Sequence, residues 1–162
     1  MKIESTAGAM PAPVLDAGGH SVAIVSARFN DFIVDQLLAG ARTAWAKHGG
    51  ASEKLVEYRV PGAFELPLAC RELALRGRHA AIVALGCVIR GDTAHFDFVA
   101  GECARGVMTA GLETGVPVIF GVLTVENRAQ AEERADPARM NKGGEALEAA
   151  LEMVQLLGKV RT

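Results

Sequence analysis

A chain of 162 residues, half of them apolar and 22% charged, has the composition of one soluble globular domain with a real core, which excludes a disordered chain. A formal net charge of −2 excludes the basic footprint of a nucleic-acid or membrane-surface protein. No apolar run nears the ~20 residues of a bilayer span, and residues 1–20 lack the apolar stretch of a secretion signal. Cys70, Cys87 and Cys103 are odd in number and without metal-type spacing, so reduced, buried thiols in a cytoplasmic protein are expected.

Residues 1–20 (MKIESTAGAMPAPVLDAGGH) are small and patternless and read as a flexible N-terminal tail, leaving 21–162 as a single domain. Ser21 to Ala27 is a β-branched run, hence a strand. Asp31 can cap the helix that follows, with Ile33, Leu37, Ala41 and Ala44 at helical spacing until Gly49-Gly50 stops it. Leu55 to Val60 is a second strand closed by Pro61-Gly62. A helix over about 63–75 carries Pro67 in its first turn. Ala80 to Ile89 is an apolar third strand, and a helix from Thr93 to about Leu112 puts Phe96, Val99, Cys103 and Val107 on one stripe. Val116 to Thr124 is a fourth strand. Two helical pieces close the chain, about 128–135 and 144–157, the second with Leu147, Leu151 and Val154 inward. Strands that are apolar throughout belong to a parallel sheet covered on both faces. The order therefore predicts a three-layer α/β/α sandwich: a four-stranded parallel sheet, flavodoxin-like and doubly wound, with right-handed crossovers.

In such a sheet, ligands bind at the rim formed by the strand C-termini. Four segments fall there: 27–30 (ARFN), 60–65 (VPGAFE), 90–95 (RGDTAH) and 124–127 (TVEN). Backbone N–H groups at a helix start suit a phosphate, and the Thr93 hydroxyl adds a donor; plain capping by Asp92 or Thr93 is the alternative. Without a GxxxxGKS loop, a nucleoside triphosphate is not favoured. His95, two residues beyond Thr93, can move a proton at physiological pH. A metal site is poorly supported, because His20, His48 and His79 fall outside the rim segments. A Cys87–His95 nucleophilic pair is conceivable, but Cys87 lies inside an apolar strand. Phe29 is either packed in its loop or a stacking surface for a planar ring. Glu65 is either a dipole-complementing surface acid or an acceptor for a polyol. Arg134 and Lys142 read as solvated charges, with no reason within one subunit to reach the rim.

Taken together, ARFN at 27–30, VPGAFELP at 60–67, LGCVIRGDTAHFDFV at 85–99, FGVLT at 120–124, ENRAQAEER at 126–134 and NKGGEA at 141–146 resemble the lumazine synthase family. The matches keep their order over most of the chain. That family condenses 5-amino-6-(D-ribitylamino)uracil with 3,4-dihydroxy-2-butanone 4-phosphate, giving 6,7-dimethyl-8-ribityllumazine, phosphate and water in the penultimate step of riboflavin biosynthesis, without metal or organic cofactor. The resemblance implies that Phe29 stacks on the pyrimidine, Ala63, Phe64 and Glu65 line the ribityl chain, and Cys87, Val88 and Ile89 contact the pyrimidine. It implies that Asp92 and Thr93 hold the butanone phosphate and that His95 transfers protons. Phe120 would meet the pyrimidine, and Arg134 the phosphate, of a neighbouring subunit. Lys142 and Glu145 match residues near the site, the acid orienting His95. A homo-oligomer with sites at subunit interfaces follows from this: a pentamer, or pentamers that pair or close into a shell. The run ADPARM at 135–140 departs from the Gly- and Thr-rich turn expected there and bears on that choice. A flavin- or lumazine-binding module on the same fold, with little or no turnover, is the alternative.

Overall fold

Apolar text, broken only by the buried Ser26, makes the two central strands. VAIVSA forms β1 (Val22–Ala27), buried at every residue, and AIVALGCVI forms β3 (Ala81–Ile89), buried from Ala81 through Cys87. They pair in parallel and are flanked by β2 (Leu55–Val60) and β4 (Val118–Val125), giving the order β2-β1-β3-β4 with every neighbour parallel. The computed structural model describes residues 11–162. Around the sheet run α1 (Asp31–Lys47), α2 (Leu66–Leu75), α3 (His95–Thr114), α4 (Arg128–Ala135) and α5 (Lys142–Val160), with 3-10 turns at Ser52–Lys54 and Ala63–Glu65. One face packs against α1, α4 and α5 through Ile33, Leu37, Trp45, Leu147 and Leu151; the other packs against α2 and α3 through Leu66, Cys70, Cys103 and Val107. The predicted doubly wound sandwich is the observed one.

Burial on both faces holds only for the central pair. Glu57, Tyr58 and Arg59 of β2 are exposed, as are Phe120 and Thr124 of β4. Edge strands lack a neighbour on one side, so their text is mixed where the central strands' is uniform.

Two helix starts differ from expectation. Asp31 is the first residue of α1 and its Oδ1 accepts from the Phe32 N–H at 2.8 Å; the capping position belongs to Asn30, left-handed at φ 60°. The helix expected from Thr93 begins at His95.

The segment expected to be a flexible tail lies partly outside the described residues. Within them, Ala17 is fully buried and its N–H donates to the His48 carbonyl. Gln155 of α5 clips Val14 and Asp16, and Lys54 Nζ reaches the Gly19 carbonyl. The three cysteines are free and buried. Among the described residues no helix is long and apolar enough to cross a membrane.

Candidate active site

The rim has a gap at its centre, and the ladder registers show why. β3 pairs with β4 as far as Ile89↔Val125, but with β1 only as far as Ser26↔Leu85. Beyond Ala27 the chain leans away from β3: Arg28 and Phe29 N–H donate to the Val60 and Pro61 carbonyls at the end of β2, at 2.8 and 3.0 Å. The β1-facing edge of Cys87–Ile89 is thereby opened at the point where the strand order reverses. An open strand edge presents alternating N–H and C=O groups, which match the amide-like edge of a planar heterocycle.

Asn30 spans this gap. Its side-chain Nδ2 donates to the Cys87 carbonyl at 2.9 Å. Asparagine tolerates the left-handed backbone that aims the amide there, which alanine does not. Asn30→Ala is expected to lose about 1–2 kcal/mol of stability and to weaken binding of a planar ligand at this edge, whereas Asn30→Gly, which keeps the backbone, should weaken binding with a smaller stability loss. Denaturant melts and ligand titration of both variants check this; unaltered binding in both would release Asn30 from the site.

On the β2 side of the gap, Phe29 is 72% exposed and Phe64 59% exposed, so each offers aromatic surface for stacking. Ala63 is buried beneath them in the 3-10 turn, and Pro67 occupies the first turn of α2. A side chain on Gly62 would lie 3.3 Å from Glu65 Oε2 and 4.0 Å from the Phe29 Cβ, so the base of the Phe29 side chain and the carboxylate flank one glycine. Burial pushes the Cys87 thiol up to about 12, so it is uncharged at neutral pH and unsuited to nucleophilic attack. What Cys87 offers a ligand is backbone.

On the β4 side, Asp92, Thr93 and His95 are exposed on the turn into α3. Thr93 Oγ1 accepts from the His95 N–H at 3.4 Å, and the imidazole has no side-chain hydrogen-bond partner among the described residues. The turn is tied to the end of β4: Arg90 N–H donates to the Val125 carbonyl at 2.9 Å and Arg90 Nε to Glu126 Oε2 at 2.8 Å. Of the other histidines, His48 bonds to Glu148 and His79 to Ser21. Among the described residues no group of three or more His, Cys, Asp or Glu side chains could hold a metal ion.

Residues 19–158 match the 6,7-dimethyl-8-ribityllumazine synthase family model. The chain belongs to the 6,7-dimethyl-8-ribityllumazine synthase family. Relatives of that name include proteins of Chlorobium chlorochromatii, 49% identical over 88% of this chain and 92% of the relative, and of Nitratidesulfovibrio vulgaris, 52% identical over 88% and 92%. A third, from Deinococcus deserti, is 53% identical over 85% and 88%.

Four residues flagged by resemblance to lumazine synthases have their partners outside the rim segments. Phe120 sits five residues before the end of β4, about 16 Å down the strand, where it is 41% exposed and lines a shallow apolar groove of about 490 Å³ with Met108, Leu112, Met153 and Leu157. Arg134 turns back on its own helix, Nη1 donating to the Gln130 carbonyl at 3.1 Å. Lys142 and Glu145 pair with each other at 2.7 Å in the first turn of α5, so within one chain the acid's partner is the lysine rather than His95. The signals missed in the sequence were Asn30, where a left-handed-prone residue precedes a helix, and the side-chain reach of Arg90.

Proposed function

We propose that this chain is a transferase condensing 5-amino-6-(D-ribitylamino)uracil with 3,4-dihydroxy-2-butanone 4-phosphate to give 6,7-dimethyl-8-ribityllumazine, phosphate and water. One observation carries the reading: the open edge of β3 joins two unlike half-sites. On one side stand an exposed aromatic pair and a carboxylate; on the other, a helix-start turn with a hydroxyl and an unengaged imidazole.

In this reading Phe29 stacks on the pyrimidine, whose polar edge meets the backbone of Cys87, Val88 and Ile89. Ala63, Phe64 and Glu65 line the ribityl chain, the carboxylate accepting from its hydroxyls. Asp92 and Thr93 hold the butanone phosphate at the start of α3, where the helix dipole favours an anion. The amine attacks the ketone, and the carbinolamine loses water to give an imine. Phosphate then departs, and ring closure expels a second water. Each step moves a proton or releases an anion, so holding two reactants together supplies most of the acceleration. His95 shuttles the protons.

Phe120 lies about 16 Å down β4 from this chain's own rim, and Arg134 is engaged by its own helix, which supports a homo-oligomer whose sites form between subunits. The exposed β4 edge and the apolar groove beside Phe120 offer the face that a second copy would cover. Light scattering distinguishes a pentamer from paired pentamers or a shell. Free buried thiols fit a cytoplasmic enzyme.

The deciding experiment incubates the protein with both substrates and follows the lumazine chromophore together with phosphate release; neither appearing refutes the reading. Arg134→Ala is expected to raise KM for the butanone phosphate by about 10-fold or more, the scale of one lost charge-assisted contact, and to leave the pyrimidine KM nearly unaltered. Equal rises for both substrates would remove Arg134 from the phosphate.

A further inference from the structure

The segment between Arg90 and Asp97 holds the phosphate turn and His95, yet little inside it fixes its shape. Residues 91–95 are all exposed. Outside the helix ladder its internal bonds are His95 N–H to Thr93 Oγ1 at 3.4 Å and Asp97 N–H to the Ala94 carbonyl at 3.0 Å. A side chain on Gly91 would meet nothing within 4 Å. A loop so sparsely held from within depends on outside contacts to keep one geometry.

Arg90 closes it from outside. Its backbone extends the β3–β4 ladder, and its Nε donates to Glu126 Oε2 at 2.8 Å on the β4–α4 connection. Its Nη1 donates to Asp97 Oδ1 at 3.2 Å in the first turn of α3, and the guanidinium lies over the Phe96 ring, 4.2 Å from the centroid. One planar fork therefore bridges both ends of the loop and fastens them to the neighbouring strand. Two carboxylates face this one cation, so the cluster is net negative and a poor phosphate ligand in its own right. Its geometry is that of a brace.

We propose that Arg90 is a positioning residue: it clasps Asp97, Phe96 and Glu126 so that Asp92, Thr93 and His95 are held ready for the phosphate substrate, granted the role assigned to that turn under Proposed function. Loss of the guanidinium loosens the loop and leaves Asp97 and Glu126 uncompensated beside an incoming anion. Both consequences fall on the butanone phosphate and not on the pyrimidine. Ion pairs this exposed contribute little to global stability.

The test is steady-state kinetics on wild type, Arg90→Ala and Arg90→Lys, with a thermal melt of each. Arg90→Ala should lower kcat/KM for the butanone phosphate by about 10²-fold, the cost of a misplacement of about 1 Å. Its pyrimidine KM should hold within about twofold, and its thermal midpoint should move by less than about 4 °C. Arg90→Lys should recover little, because one ammonium cannot reproduce the fork. The proposal is overturned by unaltered kinetics in Arg90→Ala, by equal losses for both substrates together with a lowered midpoint, or by full recovery in Arg90→Lys, which would reduce the role to charge. A wild-type protein that forms no lumazine overturns the reading of the site, and the clasp with it; an active wild type with an unaffected Arg90→Ala overturns the clasp alone.

Discussion

Replacing His95 by alanine is expected to lower turnover by about 10²-fold, the contribution of a positioned proton-transfer group, while pyrimidine binding stays within about twofold of wild type. His95 is the first residue of α3 and exposed, and its imidazole makes no side-chain hydrogen bond among the described residues. Its removal therefore opens no cavity and strands no buried partner, and alanine is a good helix former. A loss of turnover would report on chemistry and not on folding. His95→Gln sharpens the test, since glutamine keeps hydrogen-bonding capacity but cannot carry a proton between substrate atoms. A Gln variant as slow as Ala assigns the effect to proton transfer, and one near wild type assigns it to orientation. Residual turnover in both should remain well above the uncatalysed rate, because juxtaposing the two substrates is untouched. Unaltered turnover in His95→Ala would remove the residue from the mechanism.

Most of the sheet was legible because burial on both faces writes a nearly uniform apolar text: Ser26 is the one polar side chain in β1 and β3. The edge strands were located equally well, but their one-sided exposure, visible in Glu57 and Arg59 or in Phe120 and Thr124, was not foreseen. Helix starts shifted for a tertiary reason. Asn30 stands where a cap belongs, but its side chain reaches 57 residues along the chain to the Cys87 carbonyl. The same limit applies to the site. Residues that leave a strand end, such as Phe29, Glu65 and Asp92–His95, could be placed at the rim from local pattern alone. The Arg90–Glu126 bridge joins positions 36 apart, and no local pattern encodes it. Phe120 and Arg134 gained a role only through resemblance: within one chain Phe120 lies about 16 Å down β4 from the strand end, and Arg134 bonds to its own helix.

Gly143→Ala is expected to destabilise the protein by about 3 kcal/mol, the upper range for overpacking a tight contact, which lowers the thermal midpoint by about 9 °C in a chain of this size. Gly143 is buried in the first turn of α5, where a Cβ would collide with the carbonyl oxygen, carbonyl carbon and Cα of Leu37 in α1. Those are backbone atoms inside a helix, so no rotamer change relieves the clash and the helices must move apart. Neighbouring positions are under the same constraint. A Cβ on Gly40 or on Gly144 would strike the Asn141 side chain, whose Oδ1 accepts from the Gly144 N–H at 3.2 Å and starts α5. The glycines of NKGGEA therefore serve helix contact before they serve chemistry. Lys142 and Glu145 ride on the same turn and would be displaced with it. Gly158→Ala is the internal control: it lies on the same helix with nothing within 4 Å of its Cβ position, and should gain up to about 1 kcal/mol from helix propensity. Melts must be compared at one protein concentration, because association adds to the apparent stability of an oligomer. A Gly143→Ala midpoint equal to wild type would mean that α1 and α5 do not approach as closely as described, and the reading of the motif as a helix-contact device would fall with it.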